Sequence, residues 1–196
     1  AIGIAALFGY RFPRNFNQPY RAASMQDFWR RWHISLSSWL HDYLYIGLGG
    51  NRGGLGMQCR NIMLTMLLGG LWHGANWTFV VWGGLHGLYL AGERWIRAKT
   101  GVAGDPAGAW NRFALGLLTY FFVNITWVFF RAADFGGAAR ILQGMSGLAI
   151  EPAAVLPTVH MIKVGVIVAG MVAIQWLMRK RSLEQVGGRA PWWATG

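Results

Sequence analysis

Apolar side chains run almost unbroken through several parts of the chain, and polar groups collect between them. Ala1–Tyr10 reads as the end of a hydrophobic helix. Arg11–Arg21 breaks the run with Pro13, Asn15, Asn17 and Pro19, all turn formers, among three arginines, which marks a loop at a membrane face. Ser24 and Asp27 have the Ser-x-x-Asp spacing of a helix cap. Beyond it Phe28, Trp32, Leu36, Trp39, Leu40 and Tyr43 recur at helical spacing, with Arg30, Ser37, Ser38 and His41 on the other side. The pattern predicts one amphipathic, Trp-rich helix, suited to the headgroup region or to packing on membrane helices. Gly47–Gly56 (GLGGNRGGLG) predicts a flexible connection. It lacks the Gly-Lys-Ser/Thr ending of a phosphate-binding loop, and no strand precedes it.

Asn61–Trp72 is apolar but shorter than the about 20 residues of a full span, which predicts a half-helix or a helix buried in protein. Trp77–Gly92 is a second apolar run, separated from the first by His73–Asn76. Arg112–Phe130 predicts a spanning helix, with Thr119, Asn124 and Thr126 as its polar interruptions. Met161–Met178 predicts another, closed by Arg179, Lys180 and Arg181. Arg131–His160 reads as a mixed connection with Pro152 and Pro157. No internal repeat and no strand alternation is visible. The fold class read from these patterns is all-α, an integral membrane helical bundle with amphipathic interfacial helices. It is read as a single domain over 1–196, with a motif-bearing core at 24–95 and C-terminal membrane helices at 112–178.

Composition sharpens this. Hydrophobic residues make up 54% of the 196 residues and charged ones 13%, about half the charged share of ordinary soluble domains. So few charges cannot cover a soluble globule of this size, which excludes a typical cytosolic enzyme. The net charge is +11, from 18 Lys+Arg against 7 Asp+Glu. The cations flank apolar stretches, which points to membrane lipid rather than nucleic acid. Residues 11–60 carry seven Arg and two Asp, which places them on the cytoplasmic side. Four cations in Glu93–Arg112, four after Met178, and two in 131–160 then alternate the apolar runs across the membrane. Cys59, the single cysteine, excludes an internal disulfide and a Cys-based zinc site. The chain opens on Ala1 with no charged leader before its first apolar run, so it is expected to be a fragment lacking N-terminal helices.

An ionisable group inside an apolar run is costly and marks a candidate site. His73 is the clearest case. Gly69, Gly70 and Gly74 remove bulk around it, so a backbone or a ligand can approach closely. Trp72 and Trp77 can wall a cavity there, and an imidazole suits general-base chemistry near neutral pH. The competing reading is a histidine that only bonds between helices. His33 reads as an interfacial histidine, His86 as structural, His41 as a surface group and His160 as interfacial. No two histidines are three or four residues apart and no HExxH occurs, so no metal site is expected. No G-x-S-x-G marks a serine nucleophile. Arg30 and Arg31, beside Trp29 and Trp32, read as snorkelling cations or as a site for an anionic acyl donor. Asp27 and Asp42 read as a cap and an ion-pair partner.

The stretch DFWRRWHISLSSWLHDYLYIGLGGNRGG, followed by RNIMLTMLLGGLWHGANWTFVVWGGLHG, resembles the membrane-bound O-acyltransferase superfamily. The branch it most resembles is the bacterial polysaccharide O-acetyltransferases, the alginate-modifying membrane subunits first among them. The resemblance is dense from about Asn15 to Trp95. It implies a ring of tilted helices around a tunnel, with the acyl donor entering from the cytoplasm. It implies His73, in LWHGANW, as catalytic residue and His33, in RRWHIS, as the second active-site residue. His41 departs from it, since the resemblance leads one to expect Arg there.

The chemistry implied is acyl transfer, probing the substrate with Trp72, Asn76, Trp77, Arg30, Arg31 and Trp32. His73 takes a proton from an acceptor hydroxyl as that oxygen attacks an acyl thioester or ester. His33 or Asn76 is the expected oxyanion donor, and Trp72 and Trp77 exclude water. No bound cofactor is expected. The donor is acetyl-CoA or another acyl thioester, and the partners are periplasmic or membrane acetyltransferase proteins of a polysaccharide-acetylation complex. The location implied is the bacterial inner membrane, crossed several times. D-alanyl transfer to teichoic acid in a sister branch, a transporter or channel with His73 as relay, and a structural scaffold are the alternatives. The 196 residues alone are expected to be inactive.

Overall fold

The computed structural model describes Ile4 and residues 7–10, 12–101, 108–147 and 158–177. Every regular element among them is helical. After a 3-10 turn at Pro19–Arg21 come α1 (Met25–Arg31) and α2 (Ile34–Trp39), the latter continuing as a π-helical turn over Leu40–Tyr45. Then follow α3 (Leu55–His73), α4 (Trp77–Thr100), α5 (Ala109–Arg131), α6 (Phe135–Met145) and α7 (Thr158–Leu177). The chain divides into two compact units, 1–149 and 150–196. The expected grouping over 112–178 therefore splits: α5 packs with α4 in the first unit, and α7 belongs to the second. Pro152, Pro157, Arg179–Arg181 and the side chain of His160 lie outside the described residues, as does most of the run before Leu7.

The first unit is organised by an antiparallel hairpin of α3 and α4, turned by Gly74–Asn76. Its register is set by glycine. A Cβ on Gly70 would collide with the Phe79 carbonyl oxygen, and one on Gly83 with that of Met66. Gly87 leaves the same kind of room for Met63. The two backbones touch, which is how helices associate closely where the hydrophobic effect gives little help. The small residues around His73 thus admit protein rather than ligand: Gly69 faces Leu40, Gly70 faces α4 and Gly74 faces the Phe79 ring. The hairpin turn is capped by Asn76, whose side chain accepts from the Thr78 amide.

α5 lies antiparallel to α4, with Phe122 against Tyr89 and Phe130 against Trp82 and Phe79. Among the described residues it is the one helix long and apolar enough to cross a membrane, as the sequence predicts for 112–130. Its polar groups satisfy themselves on its own backbone: Thr119 donates to Leu115 O and Asn124 to Tyr120 O, as a lipid environment demands. α4 runs on to Thr100 and gathers Glu93, Arg94, Arg97 and Lys99 in its last two turns. The Met161–Met178 prediction meets a helix of 20 residues, Thr158–Leu177, whose run Ile162–Met171 is apolar.

The amphipathic helix expected from Ser24 onward starts as predicted, with the Ser24 hydroxyl accepting from the Asp27 amide at 3.1 Å. It does not run through. The chain breaks between α1 and α2 at His33, whose φ of 45° is left-handed and strained for a residue with a Cβ. The N-terminal loop fills the break. Asn15 O accepts from the Ile34 amide and Asn15 Oδ1 from both the amide and the hydroxyl of Ser35, while Asn17 N donates to Arg31 O. The loop thereby serves as a cap supplied from about twenty residues away, a partnership that local periodicity cannot register.

The glycine-rich stretch also differs from its reading as a flexible connection. Residues 46–51 fold into turns fastened from below. Asn61, fully buried, donates to Gly50 O; Gln58 donates to Asn51 O and Gly53 O; Arg94 holds both Gln58 Oε1 (2.6 Å) and Asn51 Oδ1 (3.0 Å). Gly50, at φ 56°, supplies the left-handed backbone that such a turn needs. A helix within the expected 131–160 connection, α6, is a further difference. Asp134 caps it by accepting from the Gly137 amide at 2.6 Å, and Ala138 packs into a small cluster with Val128 and Ala132. Gly136 and Gly137 lower helix propensity there and mask it in the sequence.

Candidate functional site

His73 is the last residue of α3, where the hairpin turns. Its Nδ1 lies 2.7 Å from Gly69 O, and a carbonyl can only accept, so Nδ1 carries the proton and donates. Nε2 is left as the basic nitrogen, and among the described residues it takes no hydrogen bond. The ring is held on several sides by aromatics: Trp72 at 5.1 Å between centroids, Trp82 at 4.9 Å and Phe130 at 5.4 Å, all edge-on. Gly69 is thus doubly used. Its missing side chain admits Leu40, and its carbonyl fixes the His73 tautomer and ring direction.

Behind His73, Trp82 is 4% exposed and separates it from His86, which is fully buried. His86 is tied on both nitrogens. The Trp29 indole N–H donates to Nδ1 at 3.3 Å, so Nε2 carries the proton and donates to Thr126 Oγ1 at 3.0 Å. The Thr126 hydroxyl in turn donates a hydrogen bond to Val123 O at 2.7 Å. One imidazole therefore joins α1, α4 and α5, which agrees with its reading as a structural residue.

A cavity of about 960 Å³ lies at the other end of the hairpin, between α1, α2 and the facing parts of α3 and α4. Arg30, Ser37, His41, Arg94 and Arg97 give its wall polar and cationic groups, and Glu93 pairs with Arg97 at 2.8 Å. Trp29, Leu40 and Met66 also line it. Two of these lead towards His73, since Trp29 meets Trp82 (6.0 Å between centroids) and Leu40 meets Gly69.

The other sequence candidates fall in different places. Arg30 lines the cavity, whereas Arg31 pairs with Asp27 at 2.7 Å and so braces α1. Trp32 is packed among Phe16, Phe28 and Trp127. Asn76 has both ends of its amide engaged, as the α4 cap and as donor to Ala133 O at 2.8 Å. Trp72 and Trp77 are 65% and 72% exposed and lie outside the cavity. His33 and His73 share no hydrogen bond or ring contact. A succession of rings (Phe16, Trp32, Phe28, His86 and Trp82) runs between them. The His33 Nδ1 is buried with no partner. His41 is exposed and bonds Asp42 at 2.7 Å. Among the described residues no three of His, Cys, Asp and Glu are grouped to hold a metal ion.

The membrane-bound O-acyltransferase family matches residues 1–132, the part of the chain that carries His33, His73 and the hairpin. The chain belongs to this family. Relatives include "Probable alginate O-acetylase AlgI" of Azotobacter vinelandii, 52% identical over 145 residues, which are 74% of this chain and 28% of the relative. The peptidoglycan O-acetyltransferase of Helicobacter pylori is 47% identical over 148 residues, 76% of this chain and 28% of the relative. The teichoic acid D-alanyltransferase of Streptococcus thermophilus is 30% identical over 142 residues, 62% of this chain and 33% of the relative. The chain thus spans little more than a quarter of the length of the O-acetyl-transferring relatives it matches.

In this membrane-bound O-acyltransferase chain, two features escaped the sequence reading. Trp82 reads there as one more apolar residue of the run Trp77–Gly92, yet it contacts both internal histidines. Arg94 and Arg97 read only as charges for topology, yet they line the cavity. The available signal was spacing. Thr78, Trp82 and His86 recur every four residues, which puts three polar-tipped side chains on one buried face of α4.

Proposed function

We propose that the protein is a membrane O-acyltransferase that moves an acetyl group from a cytoplasmic thioester towards an exported polysaccharide such as alginate. The observation that carries this reading is the His73 geometry: a tautomer fixed by Gly69 O with Nε2 left open. Nε2 takes the proton of an acceptor hydroxyl as its oxygen attacks the thioester carbonyl. The new C–O bond forms, the C–S bond breaks, and the thiolate leaves with the proton that His73 returns. The buried Trp82 ring closes one side of His73 to water, which limits competition for the acyl group.

The cavity suits the donor. Arg30 suits a phosphate of acetyl-CoA or of a carrier-borne acyl thioester. Arg94 and Arg97, held by Gln58, Asn51 and Glu93, add positive charge to the wall, and the charge pattern fits a cytoplasmic position for this end of the hairpin. Arg31 and Trp32 support that wall from behind. Trp72, Trp77 and Asn76 flank His73 on the acceptor side, and His33, with its unpartnered Nδ1, is the second active-site residue. On this reading the protein crosses the inner membrane several times and hands the acyl group to periplasmic or membrane acetyltransferase partners.

The test is His73→Ala in the complete protein in its own cells, measuring acyl esters on the exported polysaccharide with membrane protein level as control. Loss of esters by two to four orders of magnitude at normal protein level is expected, the size of a general-base contribution. Unchanged esters would favour a scaffold or transporter instead. Mass spectrometry of the released acid distinguishes acetate from D-alanine.

A further inference from the structure

Three polar side-chain atoms are buried without a partner among the described residues: His33 Nδ1, Thr78 Oγ1 and Trp82 Nε1. Two of them, on Thr78 and Trp82, share one face of α4, one helical turn apart, with His86 a turn further on. Along that face the polar accounting changes. At His86 both nitrogens are bonded. At Trp82, beside His73, a strong N–H donor has nothing to donate to. Buried polar groups are nearly always satisfied, and an exception calls for an explanation.

The neighbours narrow what could satisfy it. His86 offers no acceptor, because its only lone pair takes the Trp29 N–H. Gly69 O is taken by His73. Asn76, an expected oxyanion donor, is tethered by its oxygen to the Thr78 amide and by one of its two N–H groups to Ala133 O, away from the His73 ring contacts, and His33 does not touch His73. Trp82 remains, in contact with His73 at 4.9 Å between ring centroids, locked by Trp29, His86 and Phe130. A rigid, unspent N–H donor on a ring packed against a general base is the kind of group an oxyanion stabiliser requires.

We propose that the Trp82 indole N–H hydrogen-bonds the carbonyl oxygen of the acyl group while the acceptor oxygen attacks beside His73. This rests on the reading of His73 as the base. As the hydroxyl oxygen bonds to the carbonyl carbon, the C=O π pair moves onto the oxygen and Trp82 N–H stabilises that charge. The C=O re-forms as the thiolate departs, and the indole keeps its proton throughout.

The test replaces Trp82 in the complete protein by 3-benzothienylalanine, which keeps the bicyclic shape and exchanges N–H for sulfur. Trp82→Phe is made beside it, and His73→Ala runs in parallel. The readout is the rate of ester formation on the exported polysaccharide per amount of membrane protein. A fall of about a hundredfold or more with the isosteric ring, at normal protein level, is expected for loss of one oxyanion donor. A packing role predicts full activity with the isostere and a loss confined to Trp82→Phe. Wild-type rates with the isostere while His73→Ala is silent would overturn the Trp82 role and leave the His73 reading standing. Esters persisting in His73→Ala would remove both.

Discussion

His86 and His73 lie on either side of one tryptophan, each 4.9 Å from the Trp82 ring between centroids. Both are histidines in a glycine-rich helical hairpin, and both are flanked by aromatic rings. Their hydrogen bonds separate them. His86 has a partner on each nitrogen and no exposed surface. His73 has one partner, on Nδ1, and an open Nε2. A doubly bonded imidazole is a tie between helices, because any change of protonation breaks one of its bonds. A singly bonded one can receive a proton and keep its anchor. The comparison teaches that the unspent nitrogen, rather than burial or aromatic surroundings, marks the chemistry.

The largest effect that distinguishes the pair comes from removing the tie. His86→Ala leaves the Trp29 N–H and a buried cavity behind, and it unlinks α1 from α4 and α5. A loss of about 3–5 kcal/mol is expected, as for other large buried side chains cut to alanine. Membrane protein level and thermal stability in detergent should both fall. His73→Ala should lower ester formation with little change in either. If His86→Ala accumulates normally and has the phenotype of His73→Ala, the division of labour between the two histidines is wrong.

A smaller change makes His86 resemble His73. Thr126→Val keeps the shape of the side chain and removes the oxygen that accepts from His86 Nε2. A buried N–H then has no partner, at a cost of about 1–3 kcal/mol. Thermal midpoint should drop while the per-molecule rate of ester formation stays near wild type. A rate that falls with stability unchanged would assign His86 a part in the reaction.

These two histidines also show how far the residues speak for themselves. The helical class, the Ser24 cap, the spanning helix near 112–130 and the structural nature of His86 follow from periodicity and composition, which are local. His73 stands out because an ionisable group inside an apolar run is rare. Its decisive feature is not local to the pattern. The bond to Gly69 O needs the helix to exist, and the role of Trp82 needs α3, α4 and α5 together. Arg94 likewise appears as a surface charge until the glycine-rich turns are seen folded onto it. The glycines at 69, 70 and 74 announce close approach, and the fold supplies what approaches, namely Leu40, a neighbouring helix and the Phe79 ring.

His33 is the third term in the comparison, and its position depends on a partner far away in sequence. The left-handed backbone at His33 is held because Asn15 supplies the acceptors for the start of α2. Asn15→Ala leaves the backbone bond to Ile34 in place and removes the side-chain acceptor for Ser35. That is the loss of a helix cap, about 0.5–2 kcal/mol and typically near 1. The effect should be local: faster amide hydrogen exchange at Ile34 and Ser35, with Trp29 and the hairpin unchanged. If His33 acts at the site, ester formation should fall several-fold as its backbone loosens, while the His86 tie is unaffected. Unchanged exchange at Ser35 would mean that the break is held by the Trp32 and Phe16 packing alone, and the Asn15 bonds would then be incidental to where His33 sits.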